Sequence, residues 1–319
     1  MTLCLIIGGF GQDGYYLARA ALENGMQVVL TTRNLNSYTR DDFDLSDPLL
    51  IKIQADPNDP QVIIEILQSY KPSMIFNLAA QSSVGRSFAQ PLETYTSCLM
   101  PNLNLLDALK NTSRDTIYIH ATSADCFGGN DYPGGLNLPR ANPRSPYGAA
   151  KHMASQLVSQ YRNHFGISAV NGYLYNHESI RRGPNFVLPK IFKTAFDVSN
   201  GKDVKLRLGN IDIIRDWGCA DEYMRGLLEY VQSEHPTDFI LATGVGMTLR
   251  SVVERVFANY NLDYEEFLII EETHKRPTDI DTIVGTNEFL KCKIGWEPSL
   301  TGLKLIDKLH LDYDTLFRK

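Results

Sequence analysis

A tyrosine and a lysine four residues apart carry the clearest chemical pattern in this sequence. Tyr147 and Lys151 lie in the stretch SPYGAAK, and this spacing places both side chains on one face of a helix. A phenol ionises near pH ~10 in water, and a neighbouring ammonium group stabilises the phenolate. The sequence therefore predicts a pair that exchanges a proton with a substrate hydroxyl, and Ser123 is expected to hydrogen-bond the same oxygen.

A glycine-rich turn near the N-terminus indicates where a phosphate-bearing cofactor binds. An apolar run ending at Ile7 is followed by Gly8, Gly11 and Gly14, and an amphipathic helix begins directly afterwards, predicted from Tyr15 to Asn24. In such a strand–turn–helix the first glycine permits the tight turn and the second lets backbone N–H groups approach a pyrophosphate. The third lets the helix lie close to the strand. The pattern predicts a dinucleotide site.

The ends of the next two strands bear on which dinucleotide is bound. The strand MQVVLTTR ends in Arg33, and no acidic residue follows until Asp41. An acid at this point holds the adenosine ribose of NAD, whereas a basic residue accepts the extra phosphate of NADP, so the sequence favours NADP. Asp56, at the end of LLIKIQAD, is expected to meet the adenine.

Strands and helices alternate along the first half of the chain. This alternation predicts an α/β fold of the Rossmann type, with a doubly wound parallel sheet and right-handed crossovers. The elements become shorter after Asn176, which predicts two domains: residues 1–176 for the cofactor and a smaller α/β domain, residues 177–319, for the substrate. The segment 211–242 is a candidate to return to the larger domain. Ligands of such sheets bind outside the carboxyl ends of the strands.

Composition and net charge disfavour several classes of protein. The chain has 319 residues and a formal net charge of −6, which disfavours non-specific binding to nucleic acid or anionic lipid. The five cysteines form no metal-binding pattern, which argues for a reducing compartment and against a structural metal. No apolar stretch approaches the ~20 residues of a membrane helix. We therefore expect a cytoplasmic protein that does not interact with membranes.

Several longer motifs make the chain resemble one family. The order of these features resembles that of short-chain dehydrogenases/reductases. A glycine turn comes first, Ser123 follows it, and the Tyr147–Lys151 pair comes last. Beyond that order, the chain resembles the GDP-mannose 4,6-dehydratases, an extended branch of this superfamily. The matching motifs keep their order along nearly the whole chain: GQDG (11–14), NLAAQS (77–82), PRSPY (143–147), NHES with RRG (176–183), LGN (208–210), RDWG (215–218), ATGV (242–245), RP (276–277) and IGW (294–296).

The resemblance implies ligands, partners and site residues. It implies NADP as cofactor, a GDP-sugar as substrate with GDP-mannose the expected one, and a homo-oligomer, dimer or tetramer, held partly through the loop Arg33 to Arg40. His177 and Glu178 are interpreted as structural. The expected cofactor contacts are Gly8, Gly11, Gln12, Asp13, Gly14, Arg33, Asp56, Leu78, Ala79, Ala80, Gln81, Tyr147, Lys151 and Arg182, and the expected substrate contacts are Asn176, Lys190, Arg215 and Arg276.

The resemblance also implies a reaction and shows one departure from the family. Tyr147 takes the proton of the hexose 4-hydroxyl, and a carboxylate moves the C5 proton to the departing C6 hydroxyl. The family has Thr-x-Glu for this step, whereas this chain has Ser123 and Asp125, an acid shorter by one methylene, roughly 1.5 Å. A misplacement near 1 Å costs on the order of 100-fold in rate.

Either the backbone compensates for the shorter acid or the elimination at C5 is slow or absent. Three functions therefore stay open. The first is a 4,6-dehydratase that makes a 4-keto-6-deoxy sugar nucleotide. The second is a related NADP-dependent 4-reductase or epimerase. The third is a nucleotide-binding regulatory paralogue with little turnover.

Overall fold

A seven-stranded parallel sheet forms the centre of the protein. A computed structural model describes residues 2–35, 47–112, 115–129, 137–233, 236–272 and 278–319. The sheet confirms the predicted Rossmann-like architecture. In spatial order its strands are β10 (Phe239–Leu241), β6 (Ala169–Leu174), β5 (Ile117–Ser123), β4 (Met74–Asn77), β1 (Leu3–Ile7), β2 (Gln27–Thr32) and β3 (Leu50–Gln54).

Helices cover both faces of this sheet, and a second hydrophobic core lies beyond it. Within the described ranges no helix is long and apolar enough to cross a membrane. The helices on or near the sheet are α1 (Gln12–Glu23), α2 (Pro60–Tyr70), α3 (Val84–Ala89), α4 (Pro91–Thr112), α5 (Pro146–Phe165), α7 (Ala220–Val231) and α9 (Glu288–Ile294). The second core is built from α6 (Val187–Ser199), α8 (Leu249–Ala258) and α10 (Gly302–Arg318).

Two small sheets accompany the second core. In the first, β9 pairs with β7, β11 and β13, and in the second β8 pairs with β12. Their bounds are β7 (Asn176–Glu178), β8 (Leu206–Leu208), β9 (Ile214–Cys219), β11 (Gly246–Thr248), β12 (Leu268–Ile270) and β13 (Thr282–Ile283).

The first helix begins three residues earlier than predicted. The sequence places its start at Tyr15, whereas α1 starts at Gln12 with Gly11 as an extended N-cap. The glycine turn and the first helical turn therefore overlap. A Cβ on Gly14 would lie 2.4 Å from the carbonyl oxygen of Gly9, so only glycine lets the helix pack this closely on the turn.

Part of the segment 211–242 lies on the large sheet. Strand β10 is the parallel neighbour of β6, and α7 packs against α1. Strand β9, in the same segment, pairs instead with the short strands of the second part. The division into residues 1–176 and 177–319 stays a prediction.

A buried carboxylate joins three segments of the second part. The side chain of Asp216 on β9 accepts hydrogen bonds from the backbone N–H groups of Thr243, Gly244 and Gly285 and from the Thr243 hydroxyl. Buried polar groups without partners are costly, and this carboxylate has four donors. These bonds fix the position of β9. Arg215 is the residue directly before Asp216 on that strand.

A second set of polar contacts joins the glycine turn to β7. The Nε2 atom of His177 lies 2.9 Å from Oδ1 of Asp13, and Nδ1 lies 2.7 Å from the carbonyl oxygen of Tyr175. Gln12 donates to the carbonyl of His177 and accepts from the hydroxyl of Ser179. Both ring nitrogens of His177 face acceptors, which favours the protonated imidazolium. The motifs GQDG and NHES therefore form one hydrogen-bonded unit.

The contact between Asp13 and His177 raises the pKa of His177 and lowers the pKa of Asp13. Burial lowers the pKa of His177, but the negative charge of Asp13 and the hydrogen bond to it outweigh burial and raise this pKa above its ordinary value. Burial raises the pKa of Asp13, but the charge of His177 and its hydrogen bond, with Arg182 adding to them, hold it below its ordinary range.

We expect this pair to make stability depend on pH. The contribution of His177 is complete below its unfolded pKa of about 6.5 and is lost as pH rises through its raised folded pKa. The contribution of Asp13 is present above about pH 4 and is lost as pH falls through its lowered folded pKa. The free energy of unfolding of the wild type should therefore exceed that of His177→Gln most between about pH 4 and 6.5, with the gap narrowing above neutrality.

Urea denaturation of both proteins at about pH 5, 7 and 9 measures this difference. His164→Gln, a change at an exposed histidine near the end of α5, is the control and should give a nearly constant difference. A gap for His177→Gln that does not change with pH would contradict the charged pair.

Candidate active site

One large cavity lies at the carboxyl edge of the parallel sheet. Its volume is about 1070 Å³, and its walls come from both the central sheet and the second part of the chain. It brings together most of the site residues predicted from the sequence. The predicted residues that line it are Gly8, Gly11, Gln12, Asp13, Gly14, Arg33, Leu78, Ala79, Ala80, Ser123, Asp125, Tyr147, Lys151, Asn176, Arg182, Lys190 and Arg215.

Two predicted contacts do not line the cavity, and a third cannot be placed. The exposed carboxylate of Asp56 accepts hydrogen bonds from the backbone and side-chain nitrogens of Asn58. The side-chain amide of Gln81 donates to the carbonyl of Ser83 and to the hydroxyl of Thr94. Arg276 lies outside the described residues, as does the part of the predicted oligomer loop from residue 36 to Arg40. The roles of Asp56, Gln81 and Arg276 stay predictions.

The start of α1 has the features of a phosphate site. Gly11 has an ordinary negative φ of −72°, and no side chain caps the helix N-terminus. A Cβ on Gly11 would meet only the carbonyl oxygen of Gly8, at 3.6 Å, so packing within the protein does not require glycine here. Gly11 is exposed to the cavity, and uncapped N–H groups at a helix start bind phosphate. The turn therefore fits a dinucleotide pyrophosphate.

Lys52 also lines the cavity, on the side formed by β2 and β3. The sequence analysis did not predict it as a site residue. Lys52 on β3 has its Nζ atom 5.5 Å from the ring centroid of Phe10, and burial lowers the pKa of this lysine. Arg33, at the end of β2, lines the same cavity. Lys52 interrupts an otherwise apolar strand, LLIKIQ, which is the one feature of the sequence that could have indicated it.

The catalytic candidates meet where β5 ends and α5 begins. The Ser123 hydroxyl donates to Oδ2 of Asp125 at 3.1 Å and accepts from the backbone N–H of Asp125. Tyr147 and Lys151 are only 8% and 4% exposed. The Lys151 ammonium donates to the carbonyl oxygen of Ala121 at 2.7 Å.

The pKa of Tyr147 differs from the sequence-based prediction. Burial raises the pKa of Tyr147, and the negative charge of Asp125 raises it further, while a hydrogen bond with Ser123 opposes this. The stabilisation of the phenolate by Lys151 that the sequence predicts is therefore not what sets this pKa in the described geometry. The physical reason is that burial of the phenol, which spacing along a helix does not reveal, is the largest effect.

Basic side chains line the opposite end of the cavity. Lys190 on α6 donates to the carbonyl oxygen of Arg207, and Arg215 donates to the carbonyl oxygen of Ile214. Arg182 lies 3.9 Å from the ring centroid of Phe186. Arg207 also lines the cavity and was missed by the sequence analysis, because a single arginine on a short strand resembles a solvated charge.

Comparisons with known proteins show which sequences this chain is similar to. A sequence model of the family described as GDP-mannose 4,6 dehydratase matches residues 5–309. GDP-mannose 4,6 dehydratase 1 of Arabidopsis thaliana is 34% identical over 324 residues, which cover 98% of this chain and 89% of the relative. The human GDP-mannose 4,6 dehydratase is 33% identical over 346 residues, which cover 99% and 92%.

Solved structures share the fold at lower identity. A dTDP-glucose 4,6-dehydratase from Streptomyces venezuelae, solved with NAD and TYD bound, superimposes with a TM-score of 0.88 at 17% identity, covering 98% of this chain and 97% of the other. A UDP-glucose 4-epimerase from Thermus thermophilus, in complex with NAD, gives 0.83 at 21% identity, covering 98% and 99%. The motifs, the fold and the family match agree: this chain belongs to the GDP-mannose 4,6-dehydratase family.

Proposed function

We propose that the protein converts GDP-mannose to a 4-keto-6-deoxy sugar nucleotide with a tightly held NADP, as a lyase of its family. The observation that carries this proposal is the meeting of Ser123, Asp125, Tyr147 and Lys151 in one cavity. The same cavity has an uncapped helix N-terminus on one side and three basic side chains, Lys190, Arg207 and Arg215, on the other. A pyrophosphate would thus be held at each side of the acid–base groups.

Each acid–base group has a separate role in the proposed reaction. A bound nicotinamide supplies the reversible hydride exchange that makes the reaction redox-neutral. Tyr147 holds the proton of the hexose 4-hydroxyl, and Ser123 orients that oxygen. Asp125 removes the proton at C5, which a ketone at C4 has made acidic, and delivers it to the departing C6 oxygen. Lys151 supplies positive charge behind the phenol.

Two basic residues support NADP as the cofactor. Arg33, which follows β2, and Lys52, in the middle of β3, line the cavity on the side where the adenosine ribose of a dinucleotide lies in a Rossmann fold. The described part of this end contributes no acidic side chain to the cavity lining. Two cations favour a ligand with an additional phosphate there.

We also propose that the protein is a homo-oligomer in a reducing, cytoplasmic compartment. Helices α4 and α5 pack together and expose Met100, Leu103 and Met153 to solvent. An exposed apolar surface on paired helices supports self-association. All five cysteines are free thiols, which supports a reducing environment.

The first prediction on activity concerns the phenol of Tyr147. Tyr147→Phe should lower the rate of water loss from GDP-mannose by at least about 100-fold, because the group that accepts the 4-hydroxyl proton is gone. Incubation with catalytic NADP+ and mass spectrometry for a product lighter by one water measures this rate. Tyr161→Phe, on the same helix but outside the cavity, is the control and should keep activity. Substantial turnover by Tyr147→Phe would refute the assigned role.

The second prediction separates the two acid–base steps. Asp125→Asn keeps the size of the side chain but cannot accept the C5 proton, so dehydration should fall by at least about 100-fold. Oxidation at C4 should persist, since Tyr147 is intact. Absorbance of the reduced nicotinamide follows the oxidation, and product mass follows water loss. Net consumption of NADPH with a 4-keto-6-deoxy substrate, without dehydration by the wild type, would instead favour the reductase.

The third prediction tests cofactor choice. Arg33→Ala combined with Lys52→Ala removes two partners of a phosphate, and each charge-assisted contact is worth about 1.5–3 kcal/mol. The Kd for NADP+ should rise by at least about 10-fold, while the Kd for NAD+ changes little. Isothermal titration calorimetry gives both constants, with the exposed Lys304→Ala as control. Equal losses for both dinucleotides would argue against a phosphate contact.

A further inference from the structure

A buried acid and an arginine face each other beside the glycine turn without a hydrogen bond between them. Oε2 of Glu178 lies 3.6 Å from Nε of Arg182, which is too far for a hydrogen bond. Both atoms are buried, and among the described residues neither has a hydrogen-bond partner. Buried polar atoms nearly always have such a partner. Charge alone therefore holds these two atoms together.

This pair lies on the wall of the large cavity, close to the start of α1. Glu178 and Arg182 both line the cavity. The positive charge of Arg182 lowers the pKa of Asp13, the second residue of α1, and such an effect falls off with distance. The Arg182 side chain is 19% exposed, whereas that of Glu178 is 5% exposed. Arg182 can therefore contact a ligand in the cavity while Glu178 stays covered.

The charges on this part of the wall balance one another. Two acids and two cations lie together: Asp13, Glu178, His177 and Arg182. His177 counts as a cation because both of its ring nitrogens face acceptors. The four groups therefore have no net charge while Glu178 is ionised, and an anion that binds beside them makes the total negative.

The other titratable groups around Glu178 do not change this balance. Cys219 on β9 is the register partner of Glu178, and Tyr223 of α7 stacks on the ring of His177. Burial raises the pKa of both Cys219 and Tyr223, so they are neutral. The guanidinium of Arg181 is directed toward α1, 3.3 Å from the ring centroid of Tyr15.

A dinucleotide pyrophosphate at the start of α1 brings negative charge to this wall. Arginine forms charge-assisted hydrogen bonds with phosphate, and these are stronger than a long contact such as that between Arg182 and Glu178. Burial raises the pKa of Glu178, the charges of Arg182 and His177 oppose this, and that of Asp13 adds to it. An arginine engaged by phosphate opposes it less, so binding raises this pKa further.

We propose that Glu178 is a positioning residue that holds Arg182 at the cavity wall and takes up a proton from solvent when Arg182 binds the pyrophosphate of the dinucleotide. Protonation removes the negative charge that would otherwise repel the phosphate. This inference rests on cofactor binding in the proposed function. It concerns capture of the dinucleotide and not the reaction of the sugar.

Isothermal titration calorimetry tests the proposal on the full-length protein. NADP+ is titrated in two buffers of different ionisation enthalpy, which counts the protons taken up on binding. Uptake is confined to the pH range between the pKa of Glu178 in the free protein and its higher pKa in the complex, because outside that range both states carry the same charge. Between about pH 5 and 9 the wild type should show a maximum with at least about half a proton more than Glu178→Gln.

Affinity separates this role from a merely structural one. Glutamine keeps the size of the side chain and an oxygen that can contact Arg182, but it has no charge to repel phosphate. At about pH 8 Glu178→Gln should therefore bind NADP+ at least as tightly as the wild type, and its Kd should depend less steeply on pH, by up to about 10-fold per pH unit. Glu254→Gln, at an exposed acid of α8, is the matched control and should behave like the wild type.

Two results for NADP+ would overturn the proposal. One is equal proton uptake by the wild type and Glu178→Gln at every pH. The other is a Kd for Glu178→Gln raised by at least about 10-fold at every pH, since that indicates an ion pair that persists in the complex.

A measurement on the wild type alone keeps the proposal testable if Glu178→Gln does not fold. NAD+ has the same pyrophosphate but no phosphate monoester that titrates near neutral pH, so its binding should also take up protons. Binding of NAD+ without proton uptake at any pH would overturn the proposal and leave the proposed function intact. Failure of the wild type to bind either dinucleotide would instead contradict the proposed function, and this inference with it.

Discussion

Burial of the Tyr147 phenol beside a second acidic group governs this site. The carboxylate of Asp125 raises the pKa of the neighbouring Tyr147, and the Ser123 hydroxyl contacts both side chains. Burial is the largest cause of the raised pKa of Tyr147, and the negative charge of Asp125 adds to it. In the proposed reaction Tyr147 takes the proton of the 4-hydroxyl first, so a neutral phenol lies beside Asp125 when Asp125 acts as a base.

The distribution of charge along the cavity suits two ligands with phosphates. Basic side chains from β2 and β3 line one end, and those from α6, β8 and β9 line the other, while the acid–base groups lie between them. Phosphates attract the cations at either end, and the neutral sugar and nicotinamide are left for the middle. Asp216 contributes at a distance, because its four hydrogen bonds hold the strand that carries Arg215.

Much of the fold and a good part of the candidate site could be predicted from the sequence. The apolar strands and the glycine turn have strong local patterns, and the order of motifs places Tyr147 and Ser123 at one sheet edge. Properties that depend on tertiary packing were missed. The orientation of Asp56 depends on Asn58, and the raised pKa of Tyr147 depends on burial. Lys52 was missed because a lone lysine in a strand has no local pattern that indicates a site.

The contacts between the glycine turn and β7 also bear on how the polypeptide matures during synthesis. Gln12 emerges from the ribosome 165 residues before His177, the residue whose carbonyl it contacts. A nascent chain that has not yet produced β7 has Asp13 at its first helix without the imidazolium, and a lone carboxylate there repels phosphate. Tight capture of the dinucleotide is therefore expected only after synthesis has passed β7, which makes cofactor retention a marker of synthesis and folding beyond that strand.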